Sequence, residues 1–426
     1  MRVMKDSGIA WIGEIPEEWK VSTIKREYHF QTGWTPDTTH EDYFLGGNIW
    51  VNISDLKSAT TYDSEKHISN EAVQSSSMNI SPKGSLMYAF KLSVGAVSFC
   101  GRDMYTNEAI ATFLPGKNSL RFLYYMAPIF IIKNANENIY GAKLLNQRLI
   151  RNAKIIIPPI AEQERIADYL NRKCSQIDAI IARQQEVIEK LKAYKLSVIT
   201  EAVTKGLNPH APMKDSGVEW IGEIPEQWTK VRLKNICQFI NGDRSSNYPS
   251  PNEYVDEGIP FLGADSLYGR YVDIIQSKKI TKEKYHSMGG AKIQKGDILY
   301  TLRGSTIGKN ALSTFDEGTV ASSLMVIRPT SLLSNFLLYW LNSEEEFQQR
   351  QSYINGSTAP NLSAENVGSF IMFLPSKVEQ QEIADYLDKK CAEIESTILK
   401  KQMLVEWLGK YKKSLIYEVV TGKKEV

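Results

Sequence analysis

The chain has 426 residues, of which 42% are hydrophobic and 23% charged, which fits a folded protein of two to four domains rather than a disordered one. A net charge of +2 lacks the large cationic excess of a dedicated nucleic-acid binder, so any DNA contact has to come from locally placed charge. The first residues lack the pattern of a signal peptide, and no apolar run approaches the roughly 20 residues that cross a bilayer. We therefore expect a cytoplasmic protein without membrane contact.

The chain opens with a Trp- and Pro-containing segment that occurs twice. Residues 4–19 read MKDSGIAWIGEIPEEW and residues 213–228 read MKDSGVEWIGEIPEQW, so 13 of these 16 positions are identical. A second pair, EQERIADYLNRKC from Glu162 and EQQEIADYLDKKC from Glu379, has 9 of 13 identical positions. The chain is therefore two half-proteins in tandem.

Between these repeated segments lie two stretches, 21–157 and 231–374, whose sequences have diverged almost completely. Short β-type runs such as 48–53 and 298–302 are separated by Gly, Asn and Pro turns. Helical segments, for example 334–349, lie among them. Each stretch is predicted to fold as a mixed α/β domain.

Each half ends in a long predicted helix. After Pro158 and Pro159 the chain has no Gly or Pro to about Thr204, and the second copy runs similarly from about Ser376 to Thr421 apart from Gly409. Both copies repeat one 4-3 spacing over four heptads, which is typical of a coiled-coil seam. The predicted apolar seam residues are Leu170, Cys174, Ile177, Ile181, Ile188, Leu191, Val198, Leu387, Cys391, Ile394, Ile398, Val405, Leu408 and Leu415.

A helix of this length spans roughly 65 Å at 1.5 Å per residue, so it extends beyond its own half and its natural partner is the other copy. We therefore predict an α+β fold: two mixed α/β domains joined by two long antiparallel coiled-coil helices, with an internal pseudo-two-fold repeat. The predicted boundaries are 1–157 for the first domain, 158–207 for the central helix, 208–374 for the second domain and 375–426 for the distal helix.

Motifs for catalysis or metal binding are missing from the sequence. The five histidines show no HExxH spacing and the four cysteines no CxxC spacing, so neither a metal site nor a disulfide framework is expected. RGSTIGKN, residues 303–310, has three residues between its glycines where a P-loop needs four, and ends in Asn where Ser or Thr would hold Mg²⁺. We expect a non-catalytic chain without a cofactor.

Cations and hydroxyl groups recur at strand ends in both variable stretches. Alignment by the flanks places Lys91 and Ser93 opposite Arg303 and Ser305. Arg can bind the O6 and N7 edge of guanine through two hydrogen bonds, and Ser can donate to bases or phosphates. Other DNA-binding candidates, each of which an ordinary surface role would also explain, are Trp34, Arg102, Arg244, Ser245, Tyr268, Arg270, Thr306 and Lys309.

The repeated frame resembles a known family. IPPIAEQERIADYL from Ile157 and LPSKVEQQEIADYL from Leu374 are similar to the conserved regions of type I restriction-modification specificity subunits. The MKDSGxxWIGEIPExW opening, INGDRSS at 240–246 and GSTAPNLS at 356–363 also resemble that family. The resemblance covers essentially the whole chain, although the first copy has GAKLLN at 141–146 where the second has GSTAPN.

The resemblance implies that 1–157 and 208–374 are target-recognition domains, each reading one half of a bipartite, asymmetric site on double-stranded DNA. It implies that the helices set the spacing and dock two methyltransferase subunits, with restriction/translocase subunits added for cleavage. S-adenosylmethionine, ATP and Mg would then be bound by those partners. Two other hypotheses stay open: a self-contained modification enzyme, and a coiled-coil scaffold that never touches DNA.

Overall fold

The computed structural model describes residues 2–137, 141, 143–243, 248–275, 277–354 and 361–426. The chain forms two compact units, called unit 1 and unit 2 below. Unit 1 comprises Met1–Arg183 and Leu404–Val426, and unit 2 comprises Gln184–Met403. The prediction of four domain boundaries stays a prediction.

The first part of the chain supplies fourteen strands among its described residues. They are β1 (Met4–Asp6), β2 (Glu14–Pro16), β3 (Lys20–Thr23), β4 (Phe30–Thr32), β5 (Asn48–Val51), β6 (Thr60–Thr61), β7 (His67–Ile68), β8 (Leu86–Ala89), β9 (Val97–Cys100), β10 (Tyr105–Thr106), β11 (Ile110–Phe113), β12 (Asn136–Glu137), β13 (Lys143–Leu144) and β14 (Lys154–Ile157). The helices there are α1 (Ile24–Glu27), α2 (Asn70–Ser75), α3 (Leu120–Phe130), α4 (Gln147–Asn152) and α5 (Ile160–Lys205).

The second part of the chain adds β15 (Met213–Asp215), β16 (Glu223–Pro225), β17 (Thr229–Arg232), β18 (Cys237–Asn241), β19 (Tyr254–Val255), β20 (Ile259–Leu262), β21 (Leu267–Tyr268), β22 (Tyr271–Val272), β23 (Lys278–Ile280), β24 (Ile298–Thr301), β25 (Asn310–Leu312), β26 (Thr319–Val320), β27 (Leu324–Pro329) and β28 (Ile371–Leu374). Its helices are α6 (Lys282–Ser287), α7 (Ser334–Trp340), α8 (Glu344–Tyr353), α9 (Ala364–Gly368) and α10 (Lys377–Val420). Six short 3-10 turns complete the described elements.

The two units have matching sheet topologies. In unit 1 a five-stranded sheet has the order β4-β11-β8-β9-β6, and in unit 2 a six-stranded sheet has the order β18-β27-β24-β25-β22-β21. Each unit also has a smaller sheet, with the order β10-β5-β7 in unit 1 and β19-β23-β20-β26 in unit 2. The terminal pairs β14-β3 and β17-β28 also correspond. The internal repeat predicted from the frame therefore extends through the diverged domains.

The central strands form because short apolar runs are buried on both faces. Every residue of β8, β11 and β24 is buried, which explains why these strands show no alternation of polar and apolar residues. The predicted run 298–302 ends one residue earlier as β24, and 48–53 is shortened to β5.

The helical stretch predicted over 334–349 is divided in two in the structure. The structure has two helices, α7 and α8, with Leu341, Asn342 and Ser343 between them. The Asn342 amide donates to the Leu338 carbonyl at 2.7 Å, and the Ser343 hydroxyl donates to the Trp340 carbonyl at 2.7 Å. Such local side-chain bonds to the backbone compete with helical hydrogen bonds, so the first helix ends there.

The long helices α5 and α10 pack together, which confirms the predicted fold class. In unit 1, the apolar core includes Leu170 and Ile177 of α5 together with Leu408 and Leu415 of α10. In unit 2, Gln184 pairs with Lys401 and, further along α5, Lys195 pairs with the earlier residue Glu395. The two helices therefore run antiparallel where they meet in unit 2.

Candidate nucleic-acid interface

An equivalent buried tryptophan holds the start of each long helix. In unit 1, Trp19 Nε1 donates to Glu162 Oε2 at 2.9 Å. In unit 2, Trp228 Nε1 donates to both carboxylate oxygens of Glu379 at 3.0 Å. Both indole rings are 1% exposed, so in each unit the repeated tryptophan fixes the segment that opens the repeat to the start of the long helix.

A buried glutamine one residue further along each helix repeats this function. Gln163 accepts a hydrogen bond from the Ser119 amide at 2.9 Å, at the start of α3. Gln380 accepts from the Leu333 amide at 2.9 Å, at the start of α7. Each glutamine thereby satisfies a backbone donor that a helix N-terminus leaves without an internal partner.

The electrostatics of the two helix starts differ. Glu162 also receives the Arg2 guanidinium, whose Nη2 lies 2.8 Å from Oε2. Burial raises the pKa of Glu162, but the hydrogen bonds from Arg2 and Trp19 outweigh burial and hold the pKa below its ordinary value. Glu162 is therefore an ion-paired carboxylate inside the frame.

In unit 1, two candidate DNA-binding loops are joined by Glu108. Lys91 Nζ, at the end of β8, lies 3.7 Å from Glu108 Oε1, while the Thr35 hydroxyl donates to Glu108 Oε2. Burial raises the pKa of Glu108, but the bonds from Thr35 and Lys91 outweigh it and lower the pKa overall. Trp34, next to Thr35, is 57% exposed. The structure thus brings the loops that carry the predicted Trp34, Lys91 and Ser93 to one surface.

Arg102 lies elsewhere in unit 1. The β8–β9 hairpin turns between Ala89 and Val97, where Lys91 and Ser93 are found, whereas Arg102 follows the far end of β9. Arg102 is exposed. The structure therefore does not bring it together with the Lys91 loop.

In unit 2, the corresponding turn presents four consecutive exposed residues after β24, from Arg303 to Thr306. Arg303 forms a backbone bridge with Asn361, and the Leu362 amide donates to the Leu302 carbonyl at 2.9 Å. The Arg303 guanidinium has no hydrogen-bond or ion-pair partner within the part of the chain that the structure describes. Its backbone is therefore held while its donors stay free, as a base contact requires.

Lys309 and Arg270 are already engaged within unit 2. Lys309 Nζ donates to the Ala264 carbonyl at 3.1 Å, which ties the Arg303 turn to the segment before β21. Arg270 Nη1 lies 2.7 Å from Asp388 Oδ1 on α10, and its guanidinium also bonds Tyr339. Arg270 therefore holds the β21–β22 hairpin against the helices, and its donors are largely occupied.

Tyr268 lies on the same hairpin but faces outward, with 81% of its surface exposed. An exposed tyrosine can stack on a base or contact a phosphate. Arg244 and Ser245 lie outside the described residues, as do parts of the INGDRSS and GSTAPNLS segments.

The predicted seam residues lie on the inner side of the long helices. Among the first seven, Leu170, Cys174, Ile177, Ile188 and Val198 are buried, and Ile181 and Leu191 are half-buried. On α10, Leu387, Cys391, Ile394, Leu408 and Leu415 are buried, and Ile398 and Val405 are half-buried. Between seam positions, Lys412 Nζ pairs with Asp178 Oδ2 at 2.6 Å within unit 1.

Sequence reasoning missed Glu108 and Asp388, the two carboxylates that organise the candidate loops. Glu108 stands in no motif, whereas Asp388 lies within the repeated segment that begins at Glu379, and the partners of both lie 17 or more residues away in the sequence. One signal was available for Asp388, because the repeat aligns it with Asn171. Tyr339 donates to Asp388 at 2.6 Å, and Tyr125 donates to Asn171 at 2.6 Å.

The described residues show no sign of a metal or redox centre. No group of three or more His, Cys, Asp or Glu side chains there could hold a metal ion. The four cysteines are buried and free, and burial raises the pKa of the Cys100 and Cys237 thiols to about 12. Within the described ranges no helix has the length and apolarity that a bilayer crossing demands.

Comparison with known proteins gives a consistent result. The sequence model of the type I restriction modification DNA specificity domain matches this chain twice, over residues 16–190 and 225–402. The Escherichia coli type I restriction enzyme EcoBI specificity subunit is 27% identical over 335 residues, covering 74% of this chain and 69% of the relative. The Methanocaldococcus jannaschii MjaVIII specificity subunit is 26% identical over 423 residues, covering 96% and 93%.

Two solved structures share the fold. A chain from work on complex assembly and conformational transition of the type I R-M system matches with a TM-score of 0.76 and 15% identity, covering 96% of this chain and 99% of that chain. The HsdS subunit from Thermoanaerobacter tengcongensis matches with a TM-score of 0.54 and 16% identity, covering 96% and 98%.

Proposed function

This chain belongs to the type I restriction-modification DNA specificity family, and from that premise we propose that its two recognition domains each bind one half of a bipartite, asymmetric DNA site. Like its relatives, the chain is a non-catalytic specificity subunit.

The main support is that the turns after two corresponding strands, β8 in unit 1 and β24 in unit 2, present different side chains. The turn after β8 carries Lys91 and Ser93, and the turn after β24 carries Arg303 and Ser305. A guanidinium selects guanine through two hydrogen bonds, whereas a lysine ammonium is a flexible point charge. Two domains with one scaffold and different contact residues would read two different half-sites.

We assign direct contacts with DNA to Trp34, Lys91 and Ser93 in unit 1 and to Arg303, Ser305 and Thr306 in unit 2. Arg102 and Tyr268 are further candidates for phosphate contact or base stacking because both are exposed. Arg270 and Lys309 would act by positioning the hairpin and the turn that bear those contacts.

The helices α5 and α10 would set the distance between half-sites and dock two methyltransferase subunits. Restriction/translocase subunits would join the complex for cleavage, and those partners would bind S-adenosylmethionine, ATP and Mg. The absence of catalytic motifs from this sequence supports that division of labour.

Methylation mapping tests the two-half-site proposal. The chain would be expressed with its methyltransferase in cells lacking other modification, and methylated adenines or cytosines would be located genome-wide. We expect two short sequence blocks separated by a fixed unspecified spacer. A single continuous or palindromic motif would contradict the proposal.

The spacing function has its own experiment. One heptad would be inserted in α5 between Ile181 and Lys195, and a matching heptad in α10 between Ile398 and Lys412, so that the helix pair keeps its register. Seven residues add roughly 10.5 Å of helix at 1.5 Å per residue. At 3.4 Å per base pair, the mapped spacer should lengthen by about three base pairs.

The control adds the same seven residues after Val426, where they lengthen neither helix within the pair. An active double-insertion variant that keeps the original spacer would show that the helices do not measure it.

A further inference from the structure

Leu92 combines two unfavourable features in the turn between β8 and β9. Its backbone has a φ of 56°, in the left-handed region. Its side chain is 91% exposed, the highest fraction for any large hydrophobic residue within the described ranges. The left-handed conformation costs an L-residue roughly 1–2 kcal/mol, and an exposed leucine regains nothing through burial.

The turn itself does not need a leucine. Tyr88 of β8 and Tyr300 of β24 occupy matching strand positions, and counting four residues onward leads to Leu92 in unit 1 and Gly304 in unit 2. Gly304 has a φ of 85°, so both turns are left-handed at this point. Glycine adopts that conformation without steric cost, whereas unit 1 keeps a large apolar side chain there.

The turn holds Leu92 in place. The Val94 amide donates to the Leu92 carbonyl at 2.7 Å, and the Gly95 amide donates to the Ala89 carbonyl at 2.9 Å. Lys91, on one side, is paired with Glu108. The exposed leucine therefore projects from a fixed backbone rather than from a free loop.

The chemistry of the neighbours indicates the ligand. Leu92 stands between the exposed cation Lys91 and the exposed hydroxyl of Ser93, a setting that suits a polyanion. Proteins that bend DNA insert apolar side chains such as leucine between base pairs, while adjacent cations contact the phosphates. Strain kept at an exposed position is typical of a functional residue.

We propose that Leu92 inserts between two stacked base pairs of the first half-site, with Lys91 on a flanking phosphate. This rests on the proposed function of unit 1 as a DNA reader. Gly304 gives unit 2 no such side chain, so the first half-site is read partly through the ease with which one base step unstacks, and the second is not.

The test uses the full chain with its methyltransferase subunits and the DNA site obtained by methylation mapping. Leu92→Gly removes the side chain and the backbone strain together, so loss of folding does not confound the result. Leu45→Ala is the matched control, because Leu45 is another exposed leucine of unit 1, 77% exposed and with negative φ. The probe is duplex DNA carrying 2-aminopurine at successive positions of the first half-site, whose fluorescence rises when a base unstacks.

With unaltered protein we expect one step of the first half-site to brighten on binding. Leu92→Gly should abolish that signal and weaken binding of the cognate site about tenfold, the change that 1.4 kcal/mol produces. The melting temperature of the Leu92→Gly variant should be no lower than that of the parent protein. Binding should recover on a duplex with an abasic site at the bright step, because there the base pairs are already unstacked.

Two results would contradict the proposed insertion of Leu92. One is unchanged affinity and fluorescence in Leu92→Gly, and the other is weaker binding without any unstacking signal in the parent protein. If the parent complex itself showed no preference for the mapped site over random DNA, the proposed function would fail instead, so the two failures are distinguishable.

Discussion

Units 1 and 2 agree in how they hold their helices and differ in what they present at their strand ends. The Trp19–Glu162 and Trp228–Glu379 hydrogen bonds match to within 0.1 Å. The turns after β8 and β24 share a left-handed residue but expose different side chains. The contacts that fix the scaffold have therefore kept the same residue types, while the exposed side chains at the turns have been free to change.

The interiors of the two units also differ beneath these turns. Tyr300 donates to the buried carboxylate of Glu346, which is in turn 3.0 Å from Arg350 Nε. Tyr88, at the matching position, has a buried hydroxyl with no hydrogen-bond partner among the described residues. Counting from Tyr125 and Tyr339, Ile132 stands where Glu346 does. Unit 2 thus has a polar network where unit 1 is apolar.

The largest effect should come from the shared tryptophans. Trp19→Ala and Trp228→Ala each remove a fully buried ring, so each should lower the free energy of unfolding by about 3–5 kcal/mol, measured by chemical denaturation. Trp407→Ala is the control, because that ring is 58% exposed and should matter little. A tolerated loss of either Trp19 or Trp228 would break the equivalence of the two scaffolds.

The same substitution should destabilise the protein at Tyr300 but not at Tyr88. Tyr300→Phe leaves the buried Glu346 with one donor fewer and should cost about 1.5–3 kcal/mol, the range for hydrogen bonds to charged groups. Tyr88→Phe removes a hydroxyl that has no partner, so the free energy of unfolding should stay constant or rise. Thermal denaturation of the two variants compares them directly, and equal losses would contradict the contrast between the interiors.

Changes at the two turns should each affect one half-site. Arg303→Ala should weaken binding of the second half-site by about 1–3 kcal/mol, the usual worth of a good base contact. Lys91→Ala should act on the first half-site and serves as the reciprocal control. Titrations with DNA in which one half-site is scrambled separate the two. If Arg303→Ala loses the same affinity for specific and random DNA, Arg303 contacts only phosphate, as is proposed above for Lys91.

The smallest effect concerns Glu345, which is 5% exposed and has one oxygen without a hydrogen-bond partner among the residues that the structure describes. Burial raises its pKa to about 7 from an ordinary value of 4.5, so between these pH values the folded state binds more protons than the unfolded state. Stability from this residue is therefore lost as pH rises from 4.5 towards 7. Unit 1 has the buried Ile131 at the matching position.

Glu345→Gln should remove that loss and raise the free energy of unfolding above pH 7 by about 1 kcal/mol, the lower end for an unsatisfied buried polar group. Melting temperatures between pH 5 and pH 8 measure it, with Glu344→Gln as the control. A parallel pH profile for parent and variant would show that Glu345 carries no such cost.

The elements predictable from sequence were those defined by local periodicity. The Pro158-Pro159 entry and the heptad spacing predict a helix to about Thr204, and α5 runs from Ile160 to Lys205. Apolar runs likewise predicted β5 and β24 to within two residues. These patterns succeed because burial in a helix recurs every three or four residues, and a short continuous apolar run is typical of a fully buried strand.

The site depended on partners distant in sequence, which periodicity does not encode. Arg270 was predicted as a DNA contact, yet its guanidinium meets Asp388, 118 residues later. The bond from Glu108 to the Trp34 loop spans 73 residues. The left-handed conformation of Leu92 follows from the hairpin geometry, since leucine by itself gives no indication of it. Only the folded sheet shows which surface cations are free.

The ion pairs between the helices bear on how related chains can recombine. Asp178 and Lys195 of α5 occupy the positions of Glu395 and Lys412 in α10, and the pairs formed are Asp178–Lys412 and Lys195–Glu395. Each helix thus offers an acid and, 17 residues later, a base that complements the other copy. One ancestral helix sequence could serve as its own partner. Recombination between chains with the same helices could then exchange one diverged stretch, 21–157 or 231–374, without requiring a compensating mutation in either helix.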